Sequence, residues 1–235
     1  MLNKFTWHFQ KISEIKDKDS FNVKEFHRVC VDSFGIERDW DSENITKFRQ
    51  STLLGKLLDQ TEELCGIAYY SVPEKELENS YLLWENGICI VKKAQHLGLS
   101  NIAIEKAKLL FPEGIFGWFG GKSQNPKIFL RYQKLGKTFP FEQLYATPEG
   151  QTLMTFLVEN IEELKYLSIS GKLNLSSGIC TDDYSQYLGD YSISLKGAES
   201  FENHLKKLGF NRLEGDSVVV IAKLENITHS TDKEA

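Results

Sequence analysis

Basic residues are in short supply. Lys and Arg number 28 against 33 Asp and Glu, a formal charge of -5. A surface that holds a nucleic-acid backbone carries a basic excess, so that class of partner is disfavoured. Long apolar runs are also missing. No stretch is long enough to span a bilayer, and no membrane partner is expected. The opening "MLNKFTWHFQKISEIK" lacks the apolar core of a secretion signal, so the expected location is the cytoplasm. Cysteine is sparse. Cys30, Cys65, Cys89 and Cys180 form no CxxC pair and have no His at ligand spacing, so no metal site is expected. Their plain reading is reduced, buried thiols. Internal repeats and low-complexity segments are absent.

What is present fits an ordinary globular chain. A hydrophobic content of 41% over 235 residues can bury a sizeable core. The length suggests one large domain, or one domain with an appendage.

"KFTWHFQKI" alternates as a first strand. Val23, Phe26, Val29, Cys30 and Phe34 make one helical stripe, with Ser20 as expected cap and Gly35 as stop. "DSENITKFRQ" reads as a shorter helix capped by Ser42. Three strands follow: "STLLGKLLD", "LCGIAYYSV" and "SYLLWENGICIVK". A helix from about Leu99, the glycine-rich strand "GIFGWFGG" and the helix "NPKIFLRYQKLG" come next. Asn125 is placed to cap that last helix, with Pro126 at its first position. "FEQLYATPEGQTLMTFLVEN" divides at Pro148-Glu149-Gly150 and predicts a hairpin.

The segment "KKAQHLGLSNIAIEKAKLLFP" carries the chemistry. A helix N-terminus presents unpaired N–H groups and partial positive charge. Gly98 lets a loop backbone come close to a ligand, and Ser100 is small. The combination suits a pyrophosphate. A single glycine before a helix is also what a plain loop looks like.

Gln95-x-x-Gly98-x-Ser100 after a strand resembles the acyl-CoA-binding signature of the GNAT N-acetyltransferase superfamily: Gln or Arg, two residues, Gly, one residue, Gly or Ala. Ser100 departs from its last position. A second resemblance lies in Asn125, Ile128, Tyr132 and Gly136, which repeat the spacing of the family's later helix. There Ile128 replaces a small residue and Lys137 stands where Phe is usual. The element order to about residue 159 is also similar to the family's.

The resemblance implies an α+β fold, a mixed central sheet flanked by helices. It covers about residues 4 to 159 and implies a transferase unit over residues 1–160; the chain beyond lies outside it, and its own pattern reads as a small C-terminal β-α-β appendage over 161–235. It implies an N-acyltransferase with acetyl-CoA as donor and a small-molecule or peptide amine as acceptor. Backbone groups of Gln95, His96, Leu97, Gly98, Leu99 and Ser100 would hold the diphosphate. Ile88, Ile90 and Val91 would pair with the pantetheine arm, and Asn125 would add a contact. Tyr132 would protonate the leaving thiolate, a phenol near ~10 donating to a thiol near ~8.5. Glu85 is the carboxylate available as base on the fourth strand. The family's base commonly falls one residue earlier, at Trp84, so a bulge near Asn86-Gly87 is needed to turn Glu85 into the site.

Each residue also has a plain reading. Tyr132 reads as core with its hydroxyl at the surface, and Glu85 as a solvated group at a strand kink. Trp118 and Phe119 read as core or as pocket wall, and His27 and His204 as structural. The acidic "EKELEN" reads as a solvated loop that also attracts cations. The whole fold reads alternatively as a catalytically altered CoA-binding or protein-interaction module. "YSISL", "AESFENHLKKLGF" and "DSVVVIAKLEN" form the C-terminal strand-helix-strand. It is too small to be stable alone, so it must pack on the first unit, on a second copy (a homodimer) or on a partner.

Overall fold

The computed structural model describes residues 4–15, 21–111, 115–125, 127–141, 145–184 and 197–224. β1 (Phe5–Lys11) leads to α1 (Val23–Phe34) and α2 (Trp40–Gln50). Then come β2 (Leu53–Asp59), β3 (Leu64–Ser71), β4 (Tyr81–Ile90), α3 (Leu99–Lys108), β5 (Phe116–Ser123), α4 (Lys127–Gln133) and β6 (Gly136–Phe139). Through α4 the order is the one the sequence predicts; β6, at the end of the expected helix and ahead of the expected hairpin, is a correction. α5 (Pro148–Asn160), α6 (Glu162–Ile169), β7 (Ile179–Cys180), α7 (Glu199–Lys207) and β8 (Ser217–Leu224) complete it.

Local chemistry sets the helix ends. The Asn22 side chain accepts from the Glu25 amide at the start of α1, and Gly35 closes it in the left-handed region at φ 72°. Asp39, not Ser42, caps α2, accepting from the Ser42 amide. The expected cap Ser20 lies outside the described residues, as do Pro126 and the strand Ser192–Leu195.

The expected hairpin over 141–160 is corrected to a helix. Thr147 accepts from the Gly150 amide and Pro148 sits in the first turn, where its missing N–H costs nothing. Leu153, Met154, Phe156 and Leu157 then fall on one helical face and are buried. Two strands would have turned half of these outward.

One sheet runs β1-β2-β3-β4-β5-β8-β6, with β7 also on β8. It is antiparallel except for the parallel pair β4–β5. β8 enters the centre of the sheet: Val218 to Lys223 pair with β5 and Ile221 to Leu224 with β6. Adjacent residues split between two faces. Leu82, Trp84, Trp118, Val219 and Ile221 join α5 and α6, while Leu83, Phe119, Val218 and Val220 join the cluster that includes α3, α4 and α7.

β8 pairs with both β5 and β6, so residues 1–160 alone lose those two pairings and the cover that α6 and α7 give. A chain ending at residue 160 is expected to show no cooperative urea transition, against a single transition for the full chain. Two equal and independent transitions in the full chain would contradict this.

Candidate functional site

β4 holds the geometry. Tyr69 pairs with Gly87 but Tyr70 with Glu85, so Asn86 is one residue too many on β4. This is a β-bulge, the feature needed to turn Glu85. The Asn86 amide nitrogen donates to Ser51 Oγ at 2.6 Å and Ser71 Oγ at 2.7 Å, which pins it. Its consequence is a change of face. Glu85 meets Arg131 of α4, whereas Gly87 lies against Lys47 of α2 and Cys89 against Cys30 of α1. In a regular strand Glu85, Gly87 and Cys89 would share one face.

Past the bulge the sheet forks. β4 and β5 pair from Tyr81↔Phe116 to Glu85↔Gly121, and β4 then runs on to Ile90 while β5 continues along β8. Among the described residues the edge of β4 beyond Glu85 has no strand on the β5 side. Ile88 and Ile90 are partly buried beside this fork and Val91 is buried.

The loop Gln95–Ser100 stands at the far end of β4. Gln95 is its anchor: its side-chain nitrogen donates to the Ile90 carbonyl at 2.8 Å and the Ser33 carbonyl at 3.2 Å. His96 and Gly98 are left-handed, at φ 63° and 73°. Trp7 ties the first residue of α3 down, its indole N–H donating to the Leu99 carbonyl at 2.8 Å. The Asn101 and Ile102 amides turn back to Gly98. The amides of His96, Leu97, Gly98, Leu99 and Ser100 have no acceptor among the described residues. A Cβ placed on Gly98 would meet nothing within 4 Å, so the space in front of the loop is open.

Tyr132 closes the fork. It is 1% exposed, and its ring packs on Phe119 with centres 4.9 Å apart. A Cβ on Gly121 would stand 2.7 Å from its hydroxyl, so the bare glycine makes the space that the phenol fills. Burial, then the Glu85 charge, push its pKa well above the usual phenol value, against a smaller opposing pull from Arg131. It stays protonated at any ordinary pH.

Glu85 is buried and held by protein donors. Arg131 grips it at 2.6 and 3.3 Å, and the Tyr70 hydroxyl donates at 3.3 Å. The guanidinium also lies 5.2 Å from the Phe119 ring centre and 5.6 Å from that of Tyr132. Sequence reasoning missed Arg131. The available signal was a carboxylate inside an apolar strand, which demands a buried cation somewhere. Asn125 caps α4, its carbonyl accepting from the Lys127 amide at 3.0 Å. Trp118 lies in the core cluster with α5, and Phe119 forms the wall under Tyr132.

Lys122, also missed, follows Gly121 and is 5% exposed on its side chain. It bridges Glu163 and Asp183 at 2.6 Å each. Burial lowers its pKa, but the two carboxylates outweigh this and hold it well above its ordinary value. A cavity of about 240 Å³ opens beside the bulge, lined by Gln50, Ser71, Glu74, Asn86, Glu162 and Glu163 among others. Asp59, Glu63 and Cys65 gather elsewhere, where the Lys93 ammonium already bridges both carboxylates. Among the described residues no helix is long and apolar enough to cross a membrane.

No family model matches the chain, and no curated protein matches it. Solved structures do. An acetyltransferase described as of the GNAT family from Desulfovibrio desulfuricans is 13% identical over 56% of this chain and 84% of its own, with a TM-score of 0.41. An aminoglycoside 6'-N-acetyltransferase from Acinetobacter baumannii is 11% identical over 57% and 90%, at 0.39. A GNAT family N-acetyltransferase from Escherichia coli in complex with CoA is 14% identical over 55% and 67%, at 0.38.

Glu85 and Arg131 are 7% and 14% exposed on their side chains, so breaking the pair leaves an uncompensated buried charge. Glu85→Gln is expected to lose about 3–5 kcal/mol of urea stability, with most of it recovered in the double variant Glu85→Leu/Arg131→Met. A loss below about 1 kcal/mol would show that water already screens the pair.

Proposed function

We propose that this chain is an N-acyltransferase that moves an acetyl or related acyl group from acyl-CoA to an amine by direct attack. One observation carries the reading: five successive amides, His96 to Ser100, have no acceptor among the described residues at the start of α3, beside a forked sheet. Converging N–H groups at a helix N-terminus suit a diphosphate. The residues fit a CoA thioester in three further respects. The edge of β4 from Ile88 to Ile90 has no strand on the β5 side among the described residues and, apart from the Ile90 carbonyl that Gln95 holds, offers main-chain groups to an amide-bearing arm. Asn125 caps α4, the helix that carries Tyr132, and would add a contact. Lys92 precedes the loop and adds positive charge.

Acyl-CoA supplies the activated thioester; the chain supplies position and proton management. Tyr132 donates its hydroxyl hydrogen toward the departing sulfur. Glu85 has about four acceptor sites as an ionised carboxylate, of which Arg131 takes two and Tyr70 one. The remaining site takes the amine proton through a water. The amine enters by the cavity beside the bulge, where Glu74, Glu162 and Glu163 favour a cationic head group. The volume of about 240 Å³ suits the end of a larger molecule or a small amine.

A second reading, a CoA-binding or protein-interaction module without turnover, is favoured by the same Glu85 contacts, since its oxygens are largely occupied. Calorimetry with acetyl-CoA and thiol release with a panel of amines separate the two.

Tyr132→Phe is expected to cut turnover roughly 100-fold while the Kd for CoA stays within about twofold. Equal turnover in this variant would remove Tyr132 from the chemistry. Gly98→Ala adds a Cβ at φ 73° facing the loop's open side, and is expected to weaken CoA binding roughly tenfold or more. No heat of CoA binding to the native chain would overturn the reading itself.

A further inference from the structure

Two thiols with no part in the proposed reaction meet inside the fold. Cys30 lies on the face of α1 that packs on β4, and Cys89 lies on β4 beyond the bulge. Their sulfurs are 3.5 Å apart. The bulge creates this contact, because regular alternation would carry Cys89 to the face of Glu85. The four cysteines are all free thiols. Cys65 lies instead near Asp59 and Lys93.

The surroundings of the pair are polar on one side. Asn44 reaches Cys30 with its oxygen at 3.8 Å and its nitrogen at 3.6 Å from the sulfur. Lys47, on the same turn of α2 as Asn44, is the nearest cation. The contact with Cys89 lowers the pKa of Cys30; burial opposes this, and Asn44 and Lys47 assist it. Cys89 goes the other way, raised by the contact with Cys30 and by burial. One sulfur is thus disposed to act as thiolate and its neighbour to keep its proton, the division of labour between an attacking and a resolving cysteine. Both residues are buried, Cys30 at 1% and Cys89 at 8% exposed, so the oxidant must be small.

We propose that Cys30 and Cys89 are a modification site, oxidised by a hydroperoxide to an intramolecular disulfide that fastens α1 to β4 next to the bulge. The Cys30 thiolate attacks the terminal oxygen of ROOH and the O–O bond breaks. The alkoxide takes a proton and leaves as ROH, and Cys30 becomes a sulfenic acid. The Cys89 sulfur then attacks the Cys30 sulfur, the S–O bond breaks, and the hydroxide leaves as water with the Cys89 proton. Two electrons pass from the sulfurs to the peroxide. The sulfurs need to close by about 1.5 Å to reach disulfide length, a side-chain adjustment rather than a rearrangement.

The full-length chain is reduced, desalted, treated with tert-butyl hydroperoxide, then unfolded in iodoacetamide and mapped by mass spectrometry. Two of the four thiols are expected to escape alkylation, in one linked peptide pair containing Cys30 and Cys89, and dithiothreitol is expected to restore both. The oxidised chain is expected to melt roughly 5 °C or more above the reduced one, as a long closed loop restricts the unfolded state. Cys89→Ala is expected to abolish the link and Cys65→Ala to leave it intact. Alkylation of all four thiols after peroxide, or sulfinic acid at Cys30 without a cross-link, would overturn the proposal. The peptide map of the native chain decides the matter even where a variant does not fold.

Discussion

The extra residue in β4 is the constraint on which the rest is built. Asn86 belongs to no regular pair, and Ser51 and Ser71 hold its amide from two neighbouring segments. Remove it and every residue from Gly87 to Ile90 changes face. Glu85 could then still meet Arg131, but Cys89 would leave α1, Gly87 would no longer leave room for Lys47, and Ile88 would turn away from the α3 side. The bulge also sharpens local twist, which is how β4 parts from β5 while both remain bonded to their outer neighbours. A fork between two parallel strands leaves main-chain groups unpaired in a protein interior, and such groups need a partner from somewhere. Gln95 satisfies the carbonyl of Ile90; the groups before it are what the proposed thioester arm would meet.

The C-terminal strand makes this fork affordable. β8 pairs with β5 along six residues, so β5 is rigid on one side where it is free on the other. Beyond Gly121, the Lys122 ammonium is clamped between Glu163 and Asp183, and Ser217 at the start of β8 donates to Asp183. Desolvating three charges is expensive, and only close contacts with all partners engaged repay it. The cluster joins the end of β5 to α6 and to the segment before β8, three parts of the chain far apart in sequence. Tyr132 depends on that rigidity. Its hydroxyl fits against Gly121 only while β5 holds its place.

How much of this was legible in the sequence follows the range of the interactions. The first nine elements, through α4, are read from local pattern: alternation in β1 to β4, the Gly98 turn, the Asn125 cap. The bulge was legible as a requirement, because Glu85 stood one residue out of register, though not as a position fixed by Ser51 and Ser71. The helix α5 is within reach of the sequence, since Thr147-Pro148 is a helix start, but Pro-Glu-Gly reads equally as a turn. β8 could be read as a strand; its insertion between β5 and β6 could not, because nothing local records which edges a strand joins. Arg131 was invisible for the same reason. A helix shows its charged residues as a surface stripe until a partner on a distant strand is known.

The partners of Tyr132 bear on what it can do in the proposed reaction. A phenol whose pKa is held well above 10 by burial cannot hand a whole proton to a thiolate near ~8.5 without an uphill step. It can donate a hydrogen bond that strengthens as negative charge gathers on sulfur, and in a dry site such a bond is worth more than in water. Arg131 lies over the same ring and against Glu85, so the charge felt at the hydroxyl is the difference between a near cation and a near anion. If Glu85 takes up a proton from the amine, the anion is neutralised and the cation is left. The phenol then becomes the stronger donor at the moment the sulfur needs it. On this argument the grip of Arg131 on Glu85 does not disable the carboxylate. It couples uptake of a proton at Glu85 to a stronger hydrogen bond from Tyr132.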